Sequence, residues 1–142
     1  MKKYSVGYTQ GVYDMFHIGH LNLIKHAKEQ CERLIVGVNT DDLVKKYKKR
    51  QTVIPENERI EIVKNIKGVD EALLVNTLDK IILYDKLSFD VVFIGNDWKG
   101  TERWKETEYM LAMRGVDVVY LPYTPNISST LLRLEKGKEV EE

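Results

Sequence analysis

Short runs rich in β-branched and aromatic residues alternate along this chain with amphipathic helical stretches, and that alternation constrains its fold more than any other feature. Leu34-Ile35-Val36-Gly37-Val38 and Val91-Val92-Phe93-Ile94 carry no polar side chain. Strands of that kind are buried on both faces, which requires helices above and below the sheet. The pattern predicts strands over Tyr4–Tyr8, Arg33–Asn39, Ala72–Val75, Asp90–Ile94 and Val116–Leu121. Helices are predicted over Leu21–Cys31 and from Pro55 through the apolar stripe Ile60, Val63, Ile66 to a stop at Gly68. Further helices are predicted over Asp79–Lys86, over Glu102–Arg114 between the cap Thr101 and Gly115, and from Ser128 or Ser129 to Arg133.

Strands that alternate with helices are joined by right-handed crossovers into a parallel sheet. The expected fold is therefore α/β: a Rossmann-like, doubly wound, five-stranded parallel sheet with helices on both faces. A length of 142 residues suits one domain over 1–134, followed by a charged tail over 135–142. Lysine plus arginine equal aspartate plus glutamate at 22 each, so no overall field favours nucleic acid or an anionic membrane. A lone Cys31 allows no internal disulfide and fits a reducing, cytoplasmic setting. Met1-Lys2-Lys3 is not followed by a leader's apolar segment, and no apolar run approaches the roughly 20 residues of a spanning helix.

The chemistry concentrates at Gly11-Val12-Tyr13-Asp14-Met15-Phe16-His17-Ile18-Gly19-His20, directly after the first strand. Backbone N–H groups and the positive end of a helix dipole collect at such a strand-to-helix turn, so anions bind there. His17 and His20 can both donate hydrogen bonds to phosphate oxygens, and Gly19 allows close approach of the backbone. The competing reading is an ordinary helix start with one capping and one packed histidine. A zinc site lacks a third ligand, since His26 and Cys31 lie at the wrong end of the helix, and no metal ligand is assigned. Lys45-Lys46-Tyr47-Lys48-Lys49-Arg50 reads as a basic loop on the carboxyl side of the sheet, where ligands bind in such folds. Such a run is ordinarily a solvated surface, and a basic-loop RNA-binding domain is the non-enzymatic alternative; neutral net charge counts against it. Walker A and GxGxxG fingerprints are absent.

The decamer resembles the GxxD-x-x-H-x-G-H signature of the cytidylyltransferases, within the wider HxGH nucleotidyltransferase superfamily. Gly95-Asn96-Asp97-Trp98-Lys99-Gly100 is similar to a Gly-Asp-Asp-Trp-x-Gly segment of the glycerol-3-phosphate branch, with Asn96 in place of the first aspartate. Ile127-Ser128-Ser129-Thr130 resembles the motif that closes the nucleotide pocket, here preceded by Tyr123 where that family carries arginine. The resemblance implies CTP and a small alcohol phosphate as substrates, Mg2+ as cofactor and a homodimer with the HxGH helix near its two-fold axis. It implies catalytic roles for His17, His20 and Lys48. It implies nucleotide contacts from Val12, Tyr13, Asp14, Gly19, Arg50, Gly95, Asp97, Thr124, Ile127, Ser128, Ser129 and Thr130, and substrate contacts from Arg59, Lys80 and Trp98. Phosphocholine, phosphoethanolamine or another polyol phosphate as acceptor, and adenylyl transfer as in flavin or heptose enzymes, remain alternatives on the same motifs.

Overall fold

The computed structural model describes residues 2–122. Strands β1 (Tyr4–Gly11), β2 (Cys31–Asn39), β3 (Glu71–Val75), β4 (Val91–Gly95) and β5 (Asp117–Leu121) pair in parallel in the order β3-β2-β1-β4-β5. The order reverses between β1 and β4, the place where α/β sheets of this kind open a ligand crevice at their carboxyl ends.

Alternation within the apolar runs divides the core as their composition demands. Leu34, Val36, Val38, Val91 and Phe93 pack on one face with Ile24 and Ala27 of helix α1 (Ile18–Gln30) and Val63 of α3 (Glu56–Lys64). Ile35, Val92 and Ile94 pack on the other with Leu83 of α4 (Lys80–Leu87) and Trp104 and Leu111 of α5 (Glu102–Ala112). Gly37 is required within β2 because a Cβ there would collide with the hydroxyl of Tyr8, a side chain fully buried on the adjacent strand.

The expected fold class is thus observed, and the differences are local. Helix α1 begins three residues earlier than its apolar pattern, because His17 acts as its N-cap. The helix opened by Pro55 ends at Lys64, and Gly68 serves a later turn at φ +102°. The larger correction concerns the basic run: Asp41–Lys48 is a helix, α2, rather than a loop. Thr40 caps it by accepting from the Leu43 N–H, Asp41 and Asp42 occupy its first turn, and Lys45, Lys46 and Lys48 suit the negative end of its dipole. Lys49, left-handed at φ 55°, ends it. The predicted C-terminal helix, the tail over 135–142, and Thr124, Ile127, Ser128, Ser129 and Thr130 lie outside the described residues. Among the described residues, no helix is long and apolar enough to cross a membrane.

Candidate active site

The turn from β1 to α1 takes an unusual backbone path. Tyr13 and Met15 both adopt left-handed φ angles, 56° and 52°, on either side of Asp14. Each non-glycine residue in that region costs on the order of 1 kcal/mol, so the surroundings must enforce the shape. Two buried side chains do so. Asp14, wholly inaccessible, accepts the Val53 and Ile54 backbone N–H groups at 2.8 and 2.9 Å. Arg59, 1% exposed, donates to the carbonyls of Ile54 (2.9 Å), Val12 (2.7 Å) and Asn39 (2.8 Å) and forms an ion pair with Asp41 at 2.5 Å. The HxGH turn, the end of β2, the start of α2 and the segment before α3 are thereby clamped together.

Arg59 was expected to grip substrate phosphate; its position corrects that role. The guanidinium is enclosed among backbone carbonyls and Asp41, so it shapes the site from behind. Asp14, expected to contact the nucleotide, instead directs its buried carboxylate to the 53–54 backbone and so holds the turn in shape. Asp41, which sequence reasoning missed, also accepts from Thr52 Oγ1 (2.8 Å) and the Glu56 N–H (3.2 Å), while Glu56 Oε1 accepts the Asp41 N–H at 2.7 Å. Burial pushes the Asp41 carboxyl upward, but the hydrogen bonds from Arg59, Thr52 and Glu56 outweigh it and hold it below its ordinary value. The facing helix-start residues Asp41 and Glu56 were the available sequence signal.

The histidines form a tight pair. His17 Nδ1 accepts the Gly19 N–H at 3.0 Å, and His20 Nδ1 accepts the His17 N–H at 3.2 Å, a reciprocal capping box at the entry of α1. Their rings stack with centroids 4.0 Å apart, and His20 also meets Tyr13 and Phe16 at 5.4 and 5.2 Å. Capping and packing, the ordinary reading, is therefore real, and it has a chemical consequence. With Nδ1 of each ring accepting, a neutral imidazole carries its proton on Nε2. Both rings are held as Nε2 donors beside a helix N-terminus, which suits hydrogen bonding to a phosphate.

The β1–β4 pairing runs to Thr9 opposite Phe93, and each strand ends two residues further on, at Gly11 and Gly95. The β4 turn, Asn96–Trp98, is a short 3₁₀ segment in which Asn96 and Asp97 are exposed and Trp98 is half-buried. Asp97 Oδ1 folds back over Gly95, 2.7 Å from where a Cβ would stand. The Arg103 guanidinium lies 5.4 Å from the Trp98 ring centre and 5.9 Å from that of Trp104. Lys80, buried at the start of α4, donates to the Leu78 carbonyl (2.9 Å) and lies 5.3 Å from the Trp104 ring centre. Lys80 and Trp98 thus join one cation–aromatic cluster. Lys48 and Arg50 lie at and just beyond the end of α2, both half-buried.

A cytidylyltransferase-like family profile matches residues 8–135. The chain belongs to that family. Nucleotidyl transfer is accordingly its class of reaction. Among relatives, the FAD synthase of Korarchaeum cryptofilum is 35% identical over 127 residues, spanning 87% of this chain and 86% of the relative. The bifunctional protein HldE of Hyphomonas neptunium is 29% identical over 136 residues; the match takes in 94% of this chain but only 28% of that protein. The solved lipopolysaccharide core biosynthesis protein from Thermoplasma volcanium superposes with a TM-score of 0.70 at 24% identity, covering 85% of this chain and 97% of that one. Pantothenate synthetase from Thermus thermophilus gives 0.66 at 16% identity, with 93% and 62% covered. These two likenesses concern the fold.

Proposed function

We propose that this family member transfers a cytidylyl group from CTP to glycerol 3-phosphate, releasing pyrophosphate. The observation that supports the chemistry is the pair of rings, His17 and His20, in which each Nδ1 accepts a backbone N–H, so that a neutral ring carries its proton on Nε2. A phosphate oxygen of the acceptor attacks the α-phosphorus, a new P–O bond forms, and the bond to the β-phosphate breaks as pyrophosphate departs in line. No covalent enzyme intermediate is needed. The protein must align two anions and stabilise charge as it spreads over the transferring group. Nε2–H donors from His17 and His20 and the Lys48 ammonium serve that purpose, with Gly19 keeping the α1 entry open to the nucleotide.

The choice of acceptor rests on Gly95–Gly100, whose likeness to the glycerol-3-phosphate branch falls at the end of β4, the strand beside β1, and on the turn that follows it. Among the described residues no group of three or more His, Cys, Asp or Glu is placed to hold a metal ion. Magnesium fits as an ion carried by the triphosphate, to which it supplies charge neutralisation. The implied homodimer would cover Ile18, 49% exposed at the start of α1, and light scattering at micromolar protein tests it.

A second reading is favoured by the 35% identity to a FAD synthase over nearly the whole chain. It is adenylyl transfer from ATP to riboflavin phosphate, which forms the same kind of phosphoanhydride. Pyrophosphate release measured in parallel for CTP with glycerol 3-phosphate, CTP with phosphocholine, and ATP with riboflavin phosphate or a heptose phosphate separates the readings. Glycerol 3-phosphate with CTP is expected to lead. Faster turnover of another pair refutes the substrate assignment, and no turnover of any pair refutes the reaction assigned to this site.

A further inference from the structure

Beneath the cationic end of α2 runs a directional chain of hydrogen bonds that no motif above accounts for. Gln10, the penultimate residue of β1, donates from Nε2 to the Thr77 carbonyl (3.0 Å) and to Asn39 Oδ1 (2.8 Å). A backbone carbonyl can only accept, so Thr77 fixes which end of the Gln10 amide faces it. The Gln10 oxygen is consequently turned to the Tyr8 hydroxyl, which donates to it at 2.8 Å. Asn39, fully buried at the end of β2, receives the Gln10 N–H on its oxygen. Its own amide nitrogen is therefore turned to Tyr47, whose hydroxyl oxygen accepts at 3.0 Å. Each orientation follows from the one before it. Tyr8 anchors the start, its ring stacked on Phe89 at 4.9 Å and seated over Gly37.

The far end of this chain lies next to Lys48. Tyr47 and Lys48 are consecutive in the last turn of α2, and the Lys48 ammonium lies 5.7 Å from the Tyr47 ring centre. A helix of eight residues has little stability of its own and depends on ties at both ends. Thr40 and the Asp41–Glu56 exchange hold its start, and the Tyr47–Asn39 bond holds its final turn to the carboxyl end of the sheet.

We infer that Tyr47 is a positioning residue that, through Asn39 and Gln10, sets Lys48 against the carboxyl ends of β1 and β2, where charge develops on the transferring phosphoryl group. This rests on the assignment of Lys48 to charge stabilisation. A displacement of about 1 Å in such a group can cost up to about a hundredfold in rate, so one hydroxyl can govern turnover without touching substrate.

Pyrophosphate release, with the substrate pair turned over best in the panel above, tests this for Tyr47→Phe, Lys48→Ala and the double variant. Tyr47→Phe keeps the ring beside the ammonium and deletes only the hydroxyl. The expected result is a loss of about tenfold in kcat, with nucleotide KM changed by no more than about twofold. On the Lys48→Ala background the same substitution is expected to change kcat no further, since residues that act through one another are not additive. Gln10→Met, which keeps volume and removes the amide, is expected to behave alike. A Tyr47→Phe loss that persists in full without Lys48 overturns the inference. So does an unimpaired Tyr47→Phe enzyme beside a crippled Lys48→Ala enzyme, or a loss explained entirely by a smaller folded fraction in thermal melts. Full activity of Lys48→Ala removes the Lys48 assignment itself and the role of Tyr47 with it, so the two failures are distinct.

Discussion

The β1–α1 turn and the β4–α5 turn follow adjacent strands at the carboxyl end of the sheet, and each begins with a glycine at the end of its strand. They are held in opposite ways. The first is fixed by buried side chains from distant segments: Asp14 on the 53–54 backbone, Arg59 on Val12, Asn39 and Asp41. The second is fixed locally, by the Lys99 N–H on Asn96 (3.2 Å), Thr101 Oγ1 on Trp98 (2.9 Å) and a left-handed Gly100 at φ +88°. A turn held by long-range buried contacts cannot change without disturbing the whole edge of the sheet. A turn held by its own backbone can change its exposed side chains at little cost. Reaction chemistry suits the first and acceptor discrimination the second.

The comparison breaks most visibly at the histidines. His17→Ala and His20→Ala should each lower turnover by about two to four powers of ten, the scale for a positioned donor or acid–base group. Circular dichroism should show the fold retained, with loss of the His17 cap costing about 1 kcal/mol. Near-normal pyrophosphate release from both variants would contradict the site. Arg59→Met tests whether the first turn is held as described. Its loss leaves Asp41 and three backbone carbonyls without their partner, which should cost about 3 kcal/mol in chemical denaturation. An unchanged denaturation midpoint would show that the clamp lies elsewhere.

Smaller effects are expected on the second turn. Trp98→Ala should raise the acceptor KM by about tenfold with nucleotide KM little changed, and, because Trp98 packs half-buried against the second core, should lower the melting temperature, though by less than Arg59→Met does. Equal loss of stability would erase the contrast between the turns. The smallest effect concerns acid. Because the folded-state value of Asp41 lies below its ordinary 3.8, its contribution is present above about pH 4 and is lost as pH falls through the folded value. Asp41 is partly exposed, so solvent weakens the effect. Acid denaturation of Asp41→Asn should accordingly be less steep below about pH 4, and an unaltered profile would argue against the ion pair with Arg59.

Much of this was legible in the chain itself. The strands were recognisable from runs without polar side chains, and the histidines could be placed at a helix entry from their spacing behind a strand. Helix α2 was hidden because a dense cationic run resembles a solvated loop, although Thr40-Asp41-Asp42 carries a helix-start signal. Arg59 could not be assigned from sequence, since a helical arginine after Glu56-Asn57-Glu58 reads equally as an exposed ion-pair partner or a phosphate ligand.

The sequence by itself determined which segments are strands, that they lie buried between helices, and which strand-to-helix turn holds the paired histidines. Those properties follow from side-chain patterns repeated every two or every 3.6 residues and from the chemistry of neighbouring residues. Only the tertiary structure decided that Arg59 faces three converging carbonyls, that the Gln10 amide is oriented by Thr77, and that Tyr47 reaches back to Asn39. Those outcomes depend on groups distant in the chain meeting at one point, and a buried polar group takes its role from whichever partners meet it there.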